Sequence, residues 1–183
     1  MYSVTSRGFQ RMEQDLNTQL KPFAIASQAR STVELIFSIV SYLLLIVLIY
    51  LAFEAGFWLV YVGLCLVAGL FLVKLFAIFH DCTHGSMYNY KKANDWTGRM
   101  LALFVTMPYA AWKFEHDDHH SHVADIQKID YGDIPVLTVE KYRDSSPLMK
   151  RLYRIFRQPW FLLLIAPFAY FFVKARIPDL RMF

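Results

Sequence analysis

The chain has 183 residues, of which 56% are apolar and only 19% charged, and its formal net charge is +4. Soluble domains average about 45–50% apolar and about 25% charged residues, so the apolar surplus must lie where water does not reach. This balance excludes disorder, a collagen-like repeat and an acidic solvating tail, and two cysteines (Cys65 and Cys82) in so long a chain exclude a small disulfide scaffold.

Residues 1–32 read as a polar, partly helical segment with a break at Pro22. Residues 35–53 then run without a charge and are rich in Leu, Ile and Val. At about 1.5 Å per residue that run is just long enough to cross a hydrocarbon core of about 30 Å. A second run, 57–79, is interrupted only by Lys74, whose long side chain is expected to reach the headgroups. Only Glu54, Ala55 and Gly56 separate the two, which predicts a tight helical hairpin. A cleavable signal peptide does not fit, because a long polar stretch precedes the first apolar run. Two later apolar stretches, 100–112 and 160–173, are interrupted by Pro108 and Pro167. At roughly 20 Å each they are too short to span and are expected to be interfacial or re-entrant. The fold class expected is therefore an all-α integral membrane protein: a hairpin of two transmembrane helices with cytoplasmic and interfacial helices.

Orientation follows from the basic residues. Arg7, Arg11, Lys21 and Arg30 precede the hairpin, its turn has none, and Lys91, Lys92, Arg99, Lys113 and seven more in 128–157 follow it. Positive-inside reasoning puts the N-terminus and the segment after residue 79 on the cytoplasmic side. The basic residues are spread through loops and not gathered in an Arg-rich motif, so nucleic-acid binding is not expected. Residues 124–158 form a mixed, charged stretch in which Tyr131-Gly132-Asp133-Ile134-Pro135 reads as a turn, and the chain has no internal repeat.

All six histidines fall between residues 80 and 122. His80 and His84 form H-x-x-x-H where the second apolar run ends. His116, His119 and His120 form H-x-x-H-H. On a helix, positions three and four apart share a face, so each group can present imidazoles to one metal ion. Three imidazoles within five residues would repel if protonated and have little structural use. Both groups emerge on the same expected membrane face. Imidazole suits zinc, copper, iron and nickel alike. Five histidines exceed one tetrahedral zinc site, and a two-metal centre completed by further histidines fits best. Asp81, Glu115, Asp117 and Asp118 alternate with these histidines and could orient their ring N–H groups, or be solvated loop charges. His122 falls outside both groups and is taken as a surface or supporting residue.

The segment 74–86, with His80-Asp81-Cys82-Thr83-His84, resembles the first histidine box of the membrane fatty acid desaturases. His116-Asp117-Asp118-His119-His120 resembles the second box, and 94–99, 106–109, Gly132-Asp133 and 137–140 resemble the stretches around it. The nearest branch is that of the delta-12 (omega-6) acyl desaturases, and the likeness runs from about residue 35 to the C-terminus. Thr83 stands where the family usually has glycine, and Phe79 where a polar residue is frequent.

The resemblance implies a non-haem centre of two iron ions with O2 as co-substrate, held by His80, His84, His116, His119 and His120, which introduces a double bond into an acyl chain in lipid metabolism. It implies residues 33–183 as a partial desaturase domain, a membrane lipid or acyl thioester as substrate, and ferredoxin or cytochrome b5 as electron donor. The family also has a second pair of membrane helices and a third H-x-x-H-H box farther on. The chain is accordingly expected to be the N-terminal half of a longer product, or a truncated inactive membrane protein. A related di-iron hydroxylase or ketolase is the alternative. A membrane zinc protease, reading His80-Asp81 as a shortened H-E-x-x-H, leaves the second box unexplained.

Overall fold

The structure, a computed structural model, describes residues 6–21, 25–121 and 136–177. All regular elements among these residues are helical. The chain divides into two compact units, Met1–Val105 and Thr106–Phe183. The expected break at Pro22, His122 and the turn at 131–135 lie outside the described residues.

The first unit holds α1 (Ser6–Leu20), α2 (Gln28–Glu54), α3 (Trp58–His84) and α4 (Lys91–Val105). The two long apolar runs lie within α2 and α3, and these are the described helices long and apolar enough to cross a membrane unbent. At 27 residues each they measure about 40 Å, some 10 Å more than a hydrocarbon core. Their most apolar windows are only 11% and 22% buried in the protein. A helix that is apolar all round and left uncovered needs lipid as its solvent. The chain is an all-α membrane protein.

Both long helices end by the same device. Gly56 and Gly85 take left-handed φ values of +73° and +69°. In each case a 6→1 backbone bond closes the last turn, from Phe57 N–H to Ala52 C=O at 3.0 Å and from Ser86 N–H to Asp81 C=O at 3.0 Å. Glycine meets no Cβ penalty there and lets the chain satisfy carbonyls that would otherwise be orphaned. Ser38, Ala52 and Ala68 are buried. Small side chains at such positions let α2 and α3 approach closely, as tightly packed membrane helices require. Ser38 returns its hydroxyl to Glu34 C=O at 2.7 Å, so its burial leaves no unmet donor.

Lys74 does more than reach for headgroups. Its Nζ lies 2.7 Å from Glu34 Oε1 on α2 and 4.9 Å from the centroid of the Phe37 ring. The pair sits on both limbs about 20 residues from the hairpin turn, close to 30 Å at helical rise. Both side chains keep substantial exposure. The two charges thus tie the hairpin's limbs together near the far end of their apolar runs, and α3 runs ten residues farther, to His84.

The 86–90 linker is fixed by Asn94, which is 2% exposed. Its Oδ1 accepts from Tyr88 N–H at 3.0 Å, and its Nδ2 donates to the carbonyls of Tyr88 at 2.7 Å and Tyr90 at 3.2 Å. Leu75 and Phe79 of α3 and Leu101 and Val105 of α4 are buried where these helices pack.

The stretch 100–112 is not one segment. α4 stops at Val105, Thr106 has φ +54°, and Pro108 precedes a new helix. A β-branched residue at positive φ is strained, and a proline disfavours helix in the residue before it, so the helical ladder cannot run through.

The second unit holds α5 (Tyr109–Ser121), α6 (Val139–Asp144), α7 (Pro147–Phe156) and α8 (Ala166–Phe172). Thr138 and Ser146 cap α6 and α7, accepting from the N–H groups of Lys141 and Met149 at 3.2 Å each. Pro147 occupies the first turn of α7, where its missing N–H costs nothing. A π-helical turn, Phe161–Ile165, leads into α8 just ahead of Pro167. Proline removes one ladder bond and crowds the preceding turn, and a widened turn relieves both. The helical run Phe161–Arg176 is bent by 67° from α7.

Candidate metal centre

The first histidine pair follows directly from the length of α3. His80 is six residues beyond Lys74, which is about 9 Å farther along the axis. Their Nε2 atoms lie 3.4 Å apart, with ring centroids at 4.6 Å. Thr83, where a glycine was expected, is buried and returns its hydroxyl to His80 C=O at 2.6 Å. Phe79, where a polar side chain was expected, is fully buried and stacks on Phe76 at 6.0 Å. Both departures lock the α3 end by packing and leave the histidines alone. Asp81 Oδ1 stays 3.8 Å from His80 Nδ1, too long for a hydrogen bond.

The second group sits on α5. His116 and His120 converge as His80 and His84 do, with Nε2 atoms 3.1 Å apart and ring centroids at 4.5 Å. Trp112, one turn earlier, stacks on His116 at 4.3 Å with the planes 15° apart. That contact fixes the ring, and its i, i+4 spacing is legible in the sequence although the histidines drew the attention. His119 stands to one side, its ring 6.3 Å from that of His116. Three histidines share one face of α5, and two of them meet.

Each converging pair suits a metal ion. Nitrogens 3.1–3.4 Å apart fall within the span of two metal–nitrogen bonds of about 2.0–2.1 Å. A neutral pair could instead share one N–H, but two protonated rings at this distance would repel. Imidazole pairs of this kind, twice over, are a donor set for a first-row transition metal.

The acidic neighbours behave differently from one another. Glu115 is buried, and its Oε1 accepts from Lys174 Nζ at 3.1 Å. Asp117 pairs with Lys113 at 3.1 Å. Asp118 has one buried carboxylate oxygen, while its carbonyl accepts from Ser121. The pull of Lys174 on Glu115 joins residues 59 apart, which no local spacing could disclose.

The family model described as fatty acid desaturase matches residues 56–182. A fatty acid desaturase of Bacillus subtilis (strain 168) is 29% identical over 173 residues, covering 94% of this chain and 49% of the relative. The sn-1 oleoyl-lipid 12-desaturase of Arthrospira platensis is 30% identical over 95 residues, 51% of this chain and 26% of the relative. The oleoyl-12-hydroxylase of Ricinus communis is 34% identical over 71 residues, 39% of this chain and 18% of the relative. The chain therefore spans about half the length of the first of these relatives and less of the others. No solved structure matches it.

Proposed function

The chain belongs to the fatty acid desaturase family, and we propose that it supplies the first two histidine boxes of a membrane enzyme that introduces a double bond into an acyl chain. The observation that carries this reading is the repeated pair of converging imidazoles, His80–His84 and His116–His120, each at helical i, i+4 spacing. In this reading both pairs, with His119, hold two iron ions. Bound iron would supply, with O2, the oxidising power that unactivated methylenes demand: two C–H bonds are broken, a C=C bond forms, and two donor electrons and two protons complete the reduction of O2 to two waters.

The chain's own residues set the stage for that chemistry. Trp112 holds the His116 ring in one orientation, and neutral imidazoles resist the oxidation that would degrade thiolate ligands. The apolar walls of α2 and α3 keep water from a chain entering out of the bilayer. His80 and His84 lie beyond the apolar run of α3, and in this reading they face the cytoplasm, where a donor such as ferredoxin or cytochrome b5 can reach them. Two helices crossing the membrane with both termini on the cytoplasmic side agree with the basic residues flanking the hairpin.

The Ricinus relative favours one second reading, hydroxylation by the same donor set, in which one C–H bond becomes C–OH. The two separate in one experiment. The gene product carrying residues 1–183 is expressed in a host that makes monoenoic lipids, and its fatty acids are read by gas chromatography with mass spectrometry. A new dienoic acid that vanishes on His116→Ala is expected. A hydroxy acid establishes the second reading, and a fatty acid profile identical to that of the empty host overturns both.

A further inference from the structure

α5 is a helix of 13 residues that begins after the break at Thr106, so no continuous helix upstream fixes its rotation. Two contacts from the later run Phe161–Arg176 reach it. Lys174 Nζ lies 3.1 Å from Oε1 of Glu115, the residue next to His116 and only 7% exposed. Tyr170, one turn before Lys174, accepts a hydrogen bond at its hydroxyl from the Trp112 ring N–H. Trp112 is also 7% exposed, and an indole N–H needs such a partner when its ring is buried. Residues three apart on α5 thus answer residues four apart on the later run, one turn of each.

The two contacts restrain different motions. Neighbouring residues point about 100° apart around a helix, so the Glu115–Lys174 pair sets how far α5 turns about its axis. Trp112 and His116 share a face at i, i+4, and their rings lie 4.3 Å apart with the planes 15° from parallel. A stack by itself fixes the tilt of two planes and lets them slide over one another. The hydrogen bond to Tyr170 pins the N–H edge of the indole and stops that slide. His116 Nε2 is then kept 3.1 Å from His120 Nε2, a spacing at which both can bind one ion.

We infer that Tyr170 and Lys174 are positioning residues for His116: Lys174 sets the turn of α5 through Glu115, and Tyr170 holds the imidazole through Trp112. The inference rests on the reading of His116 as a metal ligand and adds what keeps that ligand aimed. Groups that orient a ligating histidine matter to metal affinity because an imidazole that must be reoriented on binding loses part of the binding energy. Here the orienting contacts come from residues more than 50 positions away, on a run that bears no histidine.

The test uses the full chain purified in detergent, with zinc(II) as a diamagnetic probe and no turnover required. Isotopic labelling of the ring nitrogens of the four tryptophans gives one N–H magnetic resonance signal each, and Trp112→Phe identifies the Trp112 signal. Zinc is expected to move that signal in the wild type. Tyr170→Phe keeps the ring and its packing, and it is expected to move the Trp112 signal without zinc while leaving the other three in place. Groups that directly orient a ligating histidine contribute about 10–100-fold in metal affinity, and Tyr170 acts one contact farther out, so Tyr170→Phe should weaken zinc about threefold to tenfold in chelator competition. In the Trp112→Phe background the same change should cost nothing further. Lys174→Met should weaken zinc by a similar factor, and Lys174→Arg should restore most of the affinity. Circular dichroism checks that each variant is helical. An unmoved Trp112 signal in Tyr170→Phe overturns the inference. So does an equal loss of affinity in both Trp112 backgrounds, the mark of a merely structural residue, or a Lys174→Arg variant no better than Lys174→Met. Zinc bound equally by the wild type and all these variants overturns the inference alone, whereas a wild-type chain that binds no zinc overturns the metal reading with it.

Discussion

The two histidine pairs are one motif on two supports. His80 and His84 end a helix of 27 residues that is closed by Gly85 and braced along its length by α2 and α4. His116 and His120 ride on a helix of 13 residues that begins after a strained Thr106 and a proline. The first pair inherits its rigidity from the membrane hairpin. The second depends on individual contacts, the Trp112 stack on His116 and the Lys174–Glu115 bond. Equal spacing in a sequence therefore conceals unequal means of holding the rings still.

The strongest way to break this comparison is to remove the rings. His80→Ala and His116→Ala are each expected to lower bound iron at least about tenfold, read by elemental analysis of the purified gene product, if the two boxes serve one centre. On α5, His120→Ala should lose more metal than His119→Ala, because His120 is the ring that meets His116. The reverse order would mean that the α5 face turns on binding.

Stability separates the supports further. Asn94→Ala removes three hydrogen bonds and leaves backbone groups of the 86–90 linker unmet, which should cost about 3 kcal/mol in reversible unfolding from detergent. Glu115→Ala removes the buried carboxylate that accepts from Lys174, which is one-third exposed and so partly rescued by water, and about 2 kcal/mol is expected. Adding Lys174→Ala should cost less than the two single changes summed, a result that distinguishes a lost charge pair from independent losses of packing. Gly85→Ala forces a side chain into a left-handed turn at φ +69° where no neighbour obstructs it, so only the backbone penalty of about 1 kcal/mol is expected. Lys74→Met should cost less than about 1 kcal/mol, since the pair with Glu34 is exposed on both sides. A larger loss would show that the pair carries the hairpin and does not merely tie its limbs together.

Much of the fold was legible because membrane helices obey a one-dimensional rule. Backbone groups in lipid must be satisfied within the helix, so long uncharged runs disclose α2 and α3 directly. Their true ends were less legible. Both helices outrun their apolar runs, because helix propensity and a glycine terminator do not stop where hydropathy does. The break inside 100–112 was marked by Pro108, yet the separate helices on either side depended on Thr106 taking an unusual backbone conformation.

The site divides in the same manner. Which residues bear imidazoles, and that they recur at three and four, are properties of the sequence, and so is the family that the pattern resembles. The i, i+4 spacing of Trp112 and His116 was equally present there, although the histidines drew the attention. Tertiary structure alone decided that Glu115 answers to Lys174, that Lys74 answers to Glu34, and that Trp112 answers to Tyr170. Helical periodicity is a local rule and can be counted along a chain. The pairing of charges from distant segments depends on which faces the packed helices bring within a few ångströms, and no local spacing carries that information.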